Sequence, residues 1–231
     1  MNHYIYSIGL GLGDPELVTI KAKRLLQESD VIVTPQSNAL GKSVAKEIIL
    51  HFVGETKLSM YYFPMNNNRE ELDRKYGQLA KRIFDLLCQG KKVVFVTIGD
   101  PTIFSTSNYL CVKLAEKRVR VIHIPGINTV NGISTLLGLP LCTKGENFGV
   151  YEMPREVPAT VELIQRHPTV VFMKVHKKFT VLMEAVERCR PQAAYLVKKI
   201  GLEGEAVYNL LQRESPRDGD YLSTALIKRG V

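Results

Sequence analysis

The sequence predicts an α/β protein with two α/β domains, a mostly parallel sheet flanked by helices in the first and a mixed sheet in the second. Short apolar runs rich in β-branched residues end at glycine turns and are followed by helical patterns. No hairpin signature separates these runs in the first half of the chain. With 231 residues, the chain is long enough to bury one large core or two smaller ones.

The first predicted strand, residues 4–8, enters a glycine-rich turn that contains Gly9, Gly11 and Gly13 and continues into Asp14-Pro15. Thr19 is a suitable cap for a helix over residues 20–27, because its hydroxyl accepts a helix N–H group. A short buried strand at residues 31–33 leads to Pro35.

The stretch that organises the chain covers residues 92–106. Residues 93–98 are almost continuously apolar, which predicts a strand buried on both faces. Gly99-Asp100-Pro101 ends it, and a helical pattern follows from about Ser105. Ligands of parallel sheets bind at the carboxyl ends of strands, so two Gly-Asp-Pro turns in one chain predict two turns that face one pocket.

The rest of the chain follows the same alternation. We expect a helix at residues 41–50, an apolar patch at 61–65 and an amphipathic helix over 69–88, capped by the asparagines at 66–68. A strand at residues 119–124 runs into Pro125-Gly126 and a helix start at Asn128-Thr129. The second half predicts strands at about 147–152, 169–175, 193–198, 206–211 and 221–228, with helices at 158–165 and 179–188.

The domain boundary is predicted in the segment from Gly138 to Gly145, which contains Pro140. The first domain, residues 1–140, then carries the glycine turns. The second domain covers residues 145–231. The strands that crowd the end of the chain are the reason to expect an antiparallel part in the second sheet.

Composition excludes some classes of protein. No apolar run approaches the ~20 residues of a membrane span, and the N-terminus has no signal-peptide pattern, so a cytoplasmic protein without a membrane partner is expected. The four cysteines are far apart and the five histidines lack ligand spacing, so no metal site is expected. The net charge of +8 attracts polyanions, which leaves nucleic acid, anionic lipid and a multiply carboxylated small molecule as alternatives.

A dinucleotide is disfavoured at the first turn. Its glycines read G-x-G-x-G, whereas the dinucleotide fingerprint is G-x-G-x-x-G. Asp14 and Glu16 also place negative charge where a pyrophosphate would bind. The turn is better suited to a ligand with a positive or neutral centre.

Residues 9–19, Gly99-Asp100-Pro101 and residues 125–129, in that order and spacing, resemble the tetrapyrrole (corrin/porphyrin) methylases, and the resemblance covers residues 4–228. Within that family, further segments are similar to the precorrin-2 or cobalt-factor II C-20 methyltransferases: residues 21–32, Phe63-Pro64-Met65, residues 99–106 and residues 171–175. The family often has proline where this chain has Leu12, a difference that alters the shape of the first turn.

The resemblance implies an S-adenosylmethionine (SAM)-dependent methyltransferase of corrinoid biosynthesis that releases S-adenosylhomocysteine, and a homodimer. It also implies that SAM and the tetrapyrrole bind in a cleft between the two domains, which the second domain completes. The positions that match the family's cofactor contacts are Leu12, Ile98, Gly99, Asp100, Ile103, Asn128, Thr129, Met173 and Ile200. Candidates for accepting the C-20 proton are Asp100, Lys174 and Tyr221.

The implied substrate is a polycarboxylate tetrapyrrole, which gives the positive net charge a target at residues such as Arg155, Lys174 and Lys177. Two rivals remain. One is a family member acting at another ring position, on a diphthamide precursor or on ribosomal RNA. The other is a basic nucleic-acid-binding module, which the absence of a basic arm or base-stacking motif disfavours, so no nucleic-acid partner is expected.

Overall fold

The computed structural model describes residues 3–36, 43–62, 68–105, 107–216 and 222–229. The chain forms two compact units, Met1–Asn128 and Thr129–Val231. Each unit is built on its own five-stranded sheet. The predicted α/β class is therefore confirmed.

The first unit alternates strands and helices. Its strands are β1 (Tyr4–Gly9), β2 (Val31–Gln36), β3 (Leu58–Tyr62), β4 (Val93–Thr97) and β5 (Arg120–Ile124). Its helices are α1 (Ile20–Glu28), α2 (Val44–Leu50), α3 (Arg69–Cys88) and α4 (Ser107–Glu116). The strand order is β3-β2-β4-β1-β5, and every neighbouring pair is parallel.

The apolar run of β4 is buried on both faces, as its composition predicts. Val93 and Phe95 pack in a cluster with residues of α3 and α4, whereas Val94 and Val96 pack with residues of α1 and α2. Successive side chains of a strand point to opposite faces, so a central strand between two helical layers needs apolar residues at every position.

Two local features of this sheet differ from the sequence expectations. The patch expected at residues 61–65 is instead the end of the edge strand β3, while residues 63–65 lie outside the described ranges. Pro35 lies inside β2 and does not merely follow the strand. It is tolerated there because β4 pairs only with Val31–Val33, so the end of β2 that carries Pro35 has a neighbour on one side.

Helix starts follow from side-chain caps. Thr19 Oγ1 accepts the N–H of Ala22 at 3.2 Å, and Asn68 Oδ1 accepts the N–H of Glu71 at 3.1 Å. Both caps were expected from the sequence. α4 begins at Ser107, later than expected, and the Ser105 hydroxyl accepts the N–H of Ser107 at 3.2 Å.

The second unit begins with α5 (Thr129–Leu137). Its strands are β6 (Phe148–Glu152), β7 (Thr169–Met173), β8 (Ala193–Lys198), β9 (Ala206–Asn209) and β10 (Ser223–Lys228). Its further helices are α6 (Val157–Arg166) and α7 (Phe179–Cys189). The strand order is β6-β7-β10-β8-β9, in which β10 is antiparallel to both of its neighbours. The predicted mixed sheet is confirmed.

The first compact unit ends at Asn128, one helix before the predicted domain boundary. The reason is that α5 packs against β10 of the second sheet. The division into domains of residues 1–140 and 145–231 remains a prediction.

Within the described ranges, no helix is both long and apolar enough to cross a bilayer. The same part of the chain contains no group of three or more His, Cys, Asp or Glu side chains arranged to hold a metal ion.

Candidate active site

The two glycine turns of the first unit are hydrogen-bonded to each other. The Gly99 N–H donates to the Gly11 carbonyl oxygen at 2.7 Å, and the Gly11 N–H donates to the Gly99 carbonyl oxygen at 3.3 Å. Both glycines have left-handed backbones, with φ of 79° at Gly11 and 71° at Gly99. The two turns therefore meet within this unit, and that they face one pocket remains a prediction.

A third turn joins them through direct backbone contact. A Cβ atom on Gly126 would lie 2.3 Å from the Gly99 carbonyl oxygen, and one on Gly9 would lie 2.5 Å from the same oxygen. The ends of β1, β4 and β5 thus touch at positions where only glycine fits. A Cβ on Gly99 itself would meet no atom of the described residues within 4 Å, so one side of the central turn is open with respect to them.

The Asp100 carboxylate connects the central turn to the end of β5. One oxygen accepts hydrogen bonds from the N–H of Thr102 at 2.8 Å and from its hydroxyl at 2.5 Å. The other oxygen accepts the N–H of Gly126 at 3.1 Å. Thr102 was not singled out from the sequence, although a threonine two residues after an aspartate is a common partner in such turns.

These bonds determine the ionisation of Asp100. Partial burial by itself would raise the pKa of this carboxyl group, but the hydrogen bonds from Thr102 and Gly126, helped by nearby His123, outweigh burial and lower the pKa. Asp100 is therefore ionised at neutral pH, with both of its oxygens already accepting hydrogen bonds.

A hydroxyl network fixes the segment that follows. The Ser107 hydroxyl donates to the Pro101 carbonyl oxygen at 2.9 Å and lies 2.9 Å from the Ser105 hydroxyl. Ser105 in turn lies 3.1 Å from Thr97 Oγ1 at the end of β4. The network flanks Ile103 and Phe104, and Phe104 has a left-handed φ of 48°.

The predicted cofactor positions of the first unit lie in these turns or directly beside them in sequence, and they are Leu12, Ile98, Gly99, Asp100, Ile103 and Asn128; Thr129 is the first residue of the second unit. Leu12 is buried between Gly11 and Gly13, and Ile98 is half-buried between β4 and Gly99. Asn128 and Thr129 follow the Gly126 contact, and α5 begins at Thr129. The first N–H groups of a helix have no partner within the helix, so such a start can bind an acceptor atom.

The predicted cofactor positions of the second unit lie at the end of its sheet where β7 and β8 terminate. Met173 is the last residue of β7, and Ile200 follows β8. β10 separates the two strands, and its Thr224 lies opposite Met173. The carbonyl oxygens of Leu222 and Ser223 accept the N–H groups of Lys199 at 2.8 Å and of Val175 at 3.3 Å.

Lys174 lies at the same edge in a left-handed conformation, with φ of 59°. Its Nζ is 3.2 Å from Glu152 Oε2, a partner that sequence reasoning missed. Arg155 and Lys177 are exposed nearby in sequence. Tyr221 lies outside the described residues.

Comparison with known families gives one profile match. Residues 4–214 match the family described as Tetrapyrrole (Corrin/Porphyrin) Methylases. The match covers far more than half of the chain and spans both compact units.

Similar sequences extend over the full length. A protein of Methanocaldococcus jannaschii named "Probable cobalt-precorrin-2 C(20)-methyltransferase" is 30% identical over 227 residues, which cover 97% of this chain and 96% of the relative. The "Cobalt-precorrin-2 C(20)-methyltransferase" of Salmonella typhimurium is 26% identical over 232 residues, which cover 99% and 98%.

Solved structures share the fold. A cobalt precorrin-4 methyltransferase has a TM-score of 0.76 at 18% identity and covers 97% of this chain and 94% of its own. The uroporphyrin-III C-methyltransferase of Thermus thermophilus, complexed with S-adenosylhomocysteine, has a TM-score of 0.66 at 20% identity and covers 97% of each chain.

Proposed function

This chain belongs to the tetrapyrrole (corrin/porphyrin) methylases, and we propose that it methylates C-20 of precorrin-2 or cobalt-factor II with SAM, in corrinoid biosynthesis. One observation carries the choice of ring position. Two full-length relatives, at 30% and 26% identity, are both named for methylation at C-20.

The first unit fits a small ligand that binds close to the backbone. The turn at Gly99 is held in place by its hydrogen bonds to Gly11 and by the Asp100 clamp, which is the pair of carboxylate oxygens that accept hydrogen bonds from Thr102 and Gly126. Because one side of Gly99 is open, a ligand can approach main-chain atoms there without displacing a side chain. When bound, SAM supplies a methyl group on a positively charged sulfur.

The residues that would hold SAM are those that match the family positions. They are Leu12, Ile98, Gly99, Asp100, Ile103, Asn128 and Thr129 at the turns, with Met173 and Ile200 of the second unit. Hydrogen bonds in the turn keep Asp100 ionised, and its negative charge suits a ligand with a positive centre.

Positioning is the main contribution expected from this chain. A meso carbon of a reduced tetrapyrrole is electron-rich, so the reaction needs no activated nucleophile from the protein. Alignment of two reactants supplies at most about 7–11 kcal/mol of the barrier reduction. The turns are hydrogen-bonded to each other and include four residues with positive φ, Gly11, Gly13, Gly99 and Phe104, so they offer a defined backbone surface on which the reactants can be aligned.

Three residues remain candidates for contact with the C-20 proton or its surroundings. Asp100 is the weakest base of the three because its pKa is lowered and both oxygens are engaged, so we assign it the role of orienting the turn. Lys174 is ion-paired with Glu152, and it serves better as a contact for a substrate carboxylate than as a base. Tyr221 keeps its proposed role at the substrate.

The substrate's carboxylates give the basic residues their role. Arg155, Lys174 and Lys177 belong to the second unit, and a guanidinium or ammonium group pairs with a carboxylate through charge-assisted hydrogen bonds. The net charge of +8 favours encounter with such a polyanion. A homodimer and a cytoplasmic location remain predictions.

The test is incubation of the protein with isotopically labelled SAM and either metal-free precorrin-2 or cobalt-factor II, followed by NMR of the product. We expect one new methyl group, at C-20. Transfer to another ring carbon would assign the protein to another step of the same family. Transfer to RNA or to a protein, with none to either tetrapyrrole, would contradict the proposal.

A further inference from the structure

Glu152 is an acidic residue placed among basic ones at the edge of the second sheet. It is the last residue of β6, next to the end of β7. One carboxylate oxygen lies 3.2 Å from Lys174 Nζ, and the other lies 3.8 Å from Lys178 Nζ. The side chain is about half exposed, with 47% of its surface accessible, so a ligand in solution can reach the same groups.

The basic side of this cluster is held in place by the backbone. Lys174 immediately follows β7 and has a left-handed backbone, an unusual conformation for a residue with a side chain. The Lys178 ammonium also donates to the Met153 carbonyl oxygen. Lys177 is exposed between them in sequence. The two ammonium groups are therefore gathered around one carboxylate.

An anionic ligand that binds these lysines meets a competitor in Glu152. A carboxylate that approaches Lys174 or Lys178 competes with Glu152 for the same ammonium groups, and Glu152 is present at high effective concentration because it is part of the same chain. A ligand with one or few carboxylates competes poorly against it. Competition with Glu152 lowers the affinity of a ligand with many carboxylates less, because its other carboxylates stay bound while one of them exchanges with Glu152.

We infer that Glu152 is a specificity-determining residue, an internal carboxylate that competes for Lys174 and Lys178 and so favours ligands with many carboxylates over ligands with few. The inference rests on the proposed function for the identity of the ligand, and it adds a residue that discriminates among tetrapyrroles by their charge. In this role Glu152 acts through the two lysines.

The experiment compares two porphyrins as probes, the octacarboxylate uroporphyrin and the tetracarboxylate coproporphyrin, titrated into the full chain and followed by absorption. The wild-type protein should prefer the octacarboxylate. Glu152→Gln should tighten coproporphyrin binding by about two- to fivefold, the range of a partly exposed ion pair, and uroporphyrin binding by less. The ratio of the two dissociation constants should therefore shrink.

Glu184→Gln is the matched control. It removes the same charge from the same unit, where Glu184 pairs with Arg188 at 2.5 Å on α7 and both side chains are exposed. An equal change of the ratio in Glu184→Gln would show an effect of net charge and would overturn the inference. So would an unchanged ratio in Glu152→Gln, or failure of the wild-type protein to prefer the octacarboxylate.

A second variant tests whether Glu152 acts through Lys174. In a Lys174→Gln background, most of the change caused by Glu152→Gln should disappear, because one of the competed ammonium groups is gone; a full change would contradict the inference. If Glu152→Gln does not fold, Glu152→Asp, whose shorter side chain draws the carboxylate back, should shift the ratio in the same direction. Methyl transfer is measured separately, so selective binding without methylation would reject the proposed function alone.

Discussion

The N–H of Gly99 donates to the carbonyl oxygen of Gly11 at 2.7 Å, which makes the first and the central turn of the parallel sheet one hydrogen-bonded unit. Gly9 and Gly126 complete it by direct backbone contact with Gly99. The first prediction follows from this contact, since an atom inserted between Gly126 and Gly99 must separate the two turns.

Gly126→Ala should disrupt the corner. Its Cβ would lie 2.3 Å from the Gly99 carbonyl oxygen, a backbone atom that cannot move alone, so we expect a loss of about 2–4 kcal/mol in the free energy of unfolding. Urea denaturation measures it. The control is Gly77→Ala within α3, where a Cβ meets nothing within 4 Å and alanine should stabilise the helix. Equal stability of the two variants would contradict the contact.

Asp100→Asn tests the pH dependence of the clamp. The folded-state pKa of Asp100 is lowered, so its carboxylate contributes stability above its ordinary value of 3.8, and this contribution is lost as the pH falls through the lower folded-state pKa. The melting temperature of the wild-type protein should exceed that of Asp100→Asn at neutral pH, and the difference should narrow below about pH 4. A difference that is constant from neutral to acidic pH would show that the charge is not involved.

Lys177→Glu tests the proposal that basic residues of the second unit bind the carboxylates of the substrate. Reversing an exposed charge beside a polyanionic ligand should raise the KM for the tetrapyrrole by about three- to tenfold and leave the affinity for S-adenosylhomocysteine unchanged. Steady-state kinetics and calorimetry provide the two values. Equal losses in both would mean that the substitution damages the unit and does not act on the substrate.

Gly149→Ala should destabilise the second unit. Its Cβ would lie 2.5 Å from Tyr151 Cε2 and 2.8 Å from His167 Cδ2, and these two side chains are joined by a 2.7 Å hydrogen bond. We expect a loss of about 1–3 kcal/mol, measured by denaturation. In a Tyr151→Ala background, Gly149→Ala should lower the free energy of unfolding by less, because the nearest clashing atom is gone. An undiminished loss would show that the clash with Tyr151 is not its cause.

Much of the fold could be predicted because its signals are local. The helix expected at residues 69–88 matches α3, since its cap and its apolar spacing both lie within the segment. β4 was predicted from the unbroken apolar run of a doubly covered strand. The edge strand β3 was missed because only one neighbour covers it, and its residues show neither a continuous apolar run nor clean alternation.

The site was predictable only in part, for a physical reason. Glycine turns after buried strands are visible in the sequence, and the structure joins the first two as expected. The Thr102–Asp100–Gly126 clamp and the Glu152–Lys174 pair link residues that are distant in sequence or depend on side-chain direction. Met173 and Ile200 share a sheet edge only because β10, the last strand of the chain, lies between β7 and β8.

Binding of S-adenosylhomocysteine to Gly99→Ala, measured by calorimetry beside Gly90→Ala, shows whether the cofactor lies against the glycine turns. Both glycines have left-handed backbones, with φ of 71° and 77°, and a Cβ on either meets no atom within 4 Å, so both variants should bear a similar strain of about 1–2 kcal/mol. Gly99→Ala should bind at least about tenfold more weakly, because its methyl group fills the open side of the turn, while Gly90→Ala should bind like the wild-type protein. Equal affinities in the two variants would contradict the claim that the cofactor lies against the glycine turns.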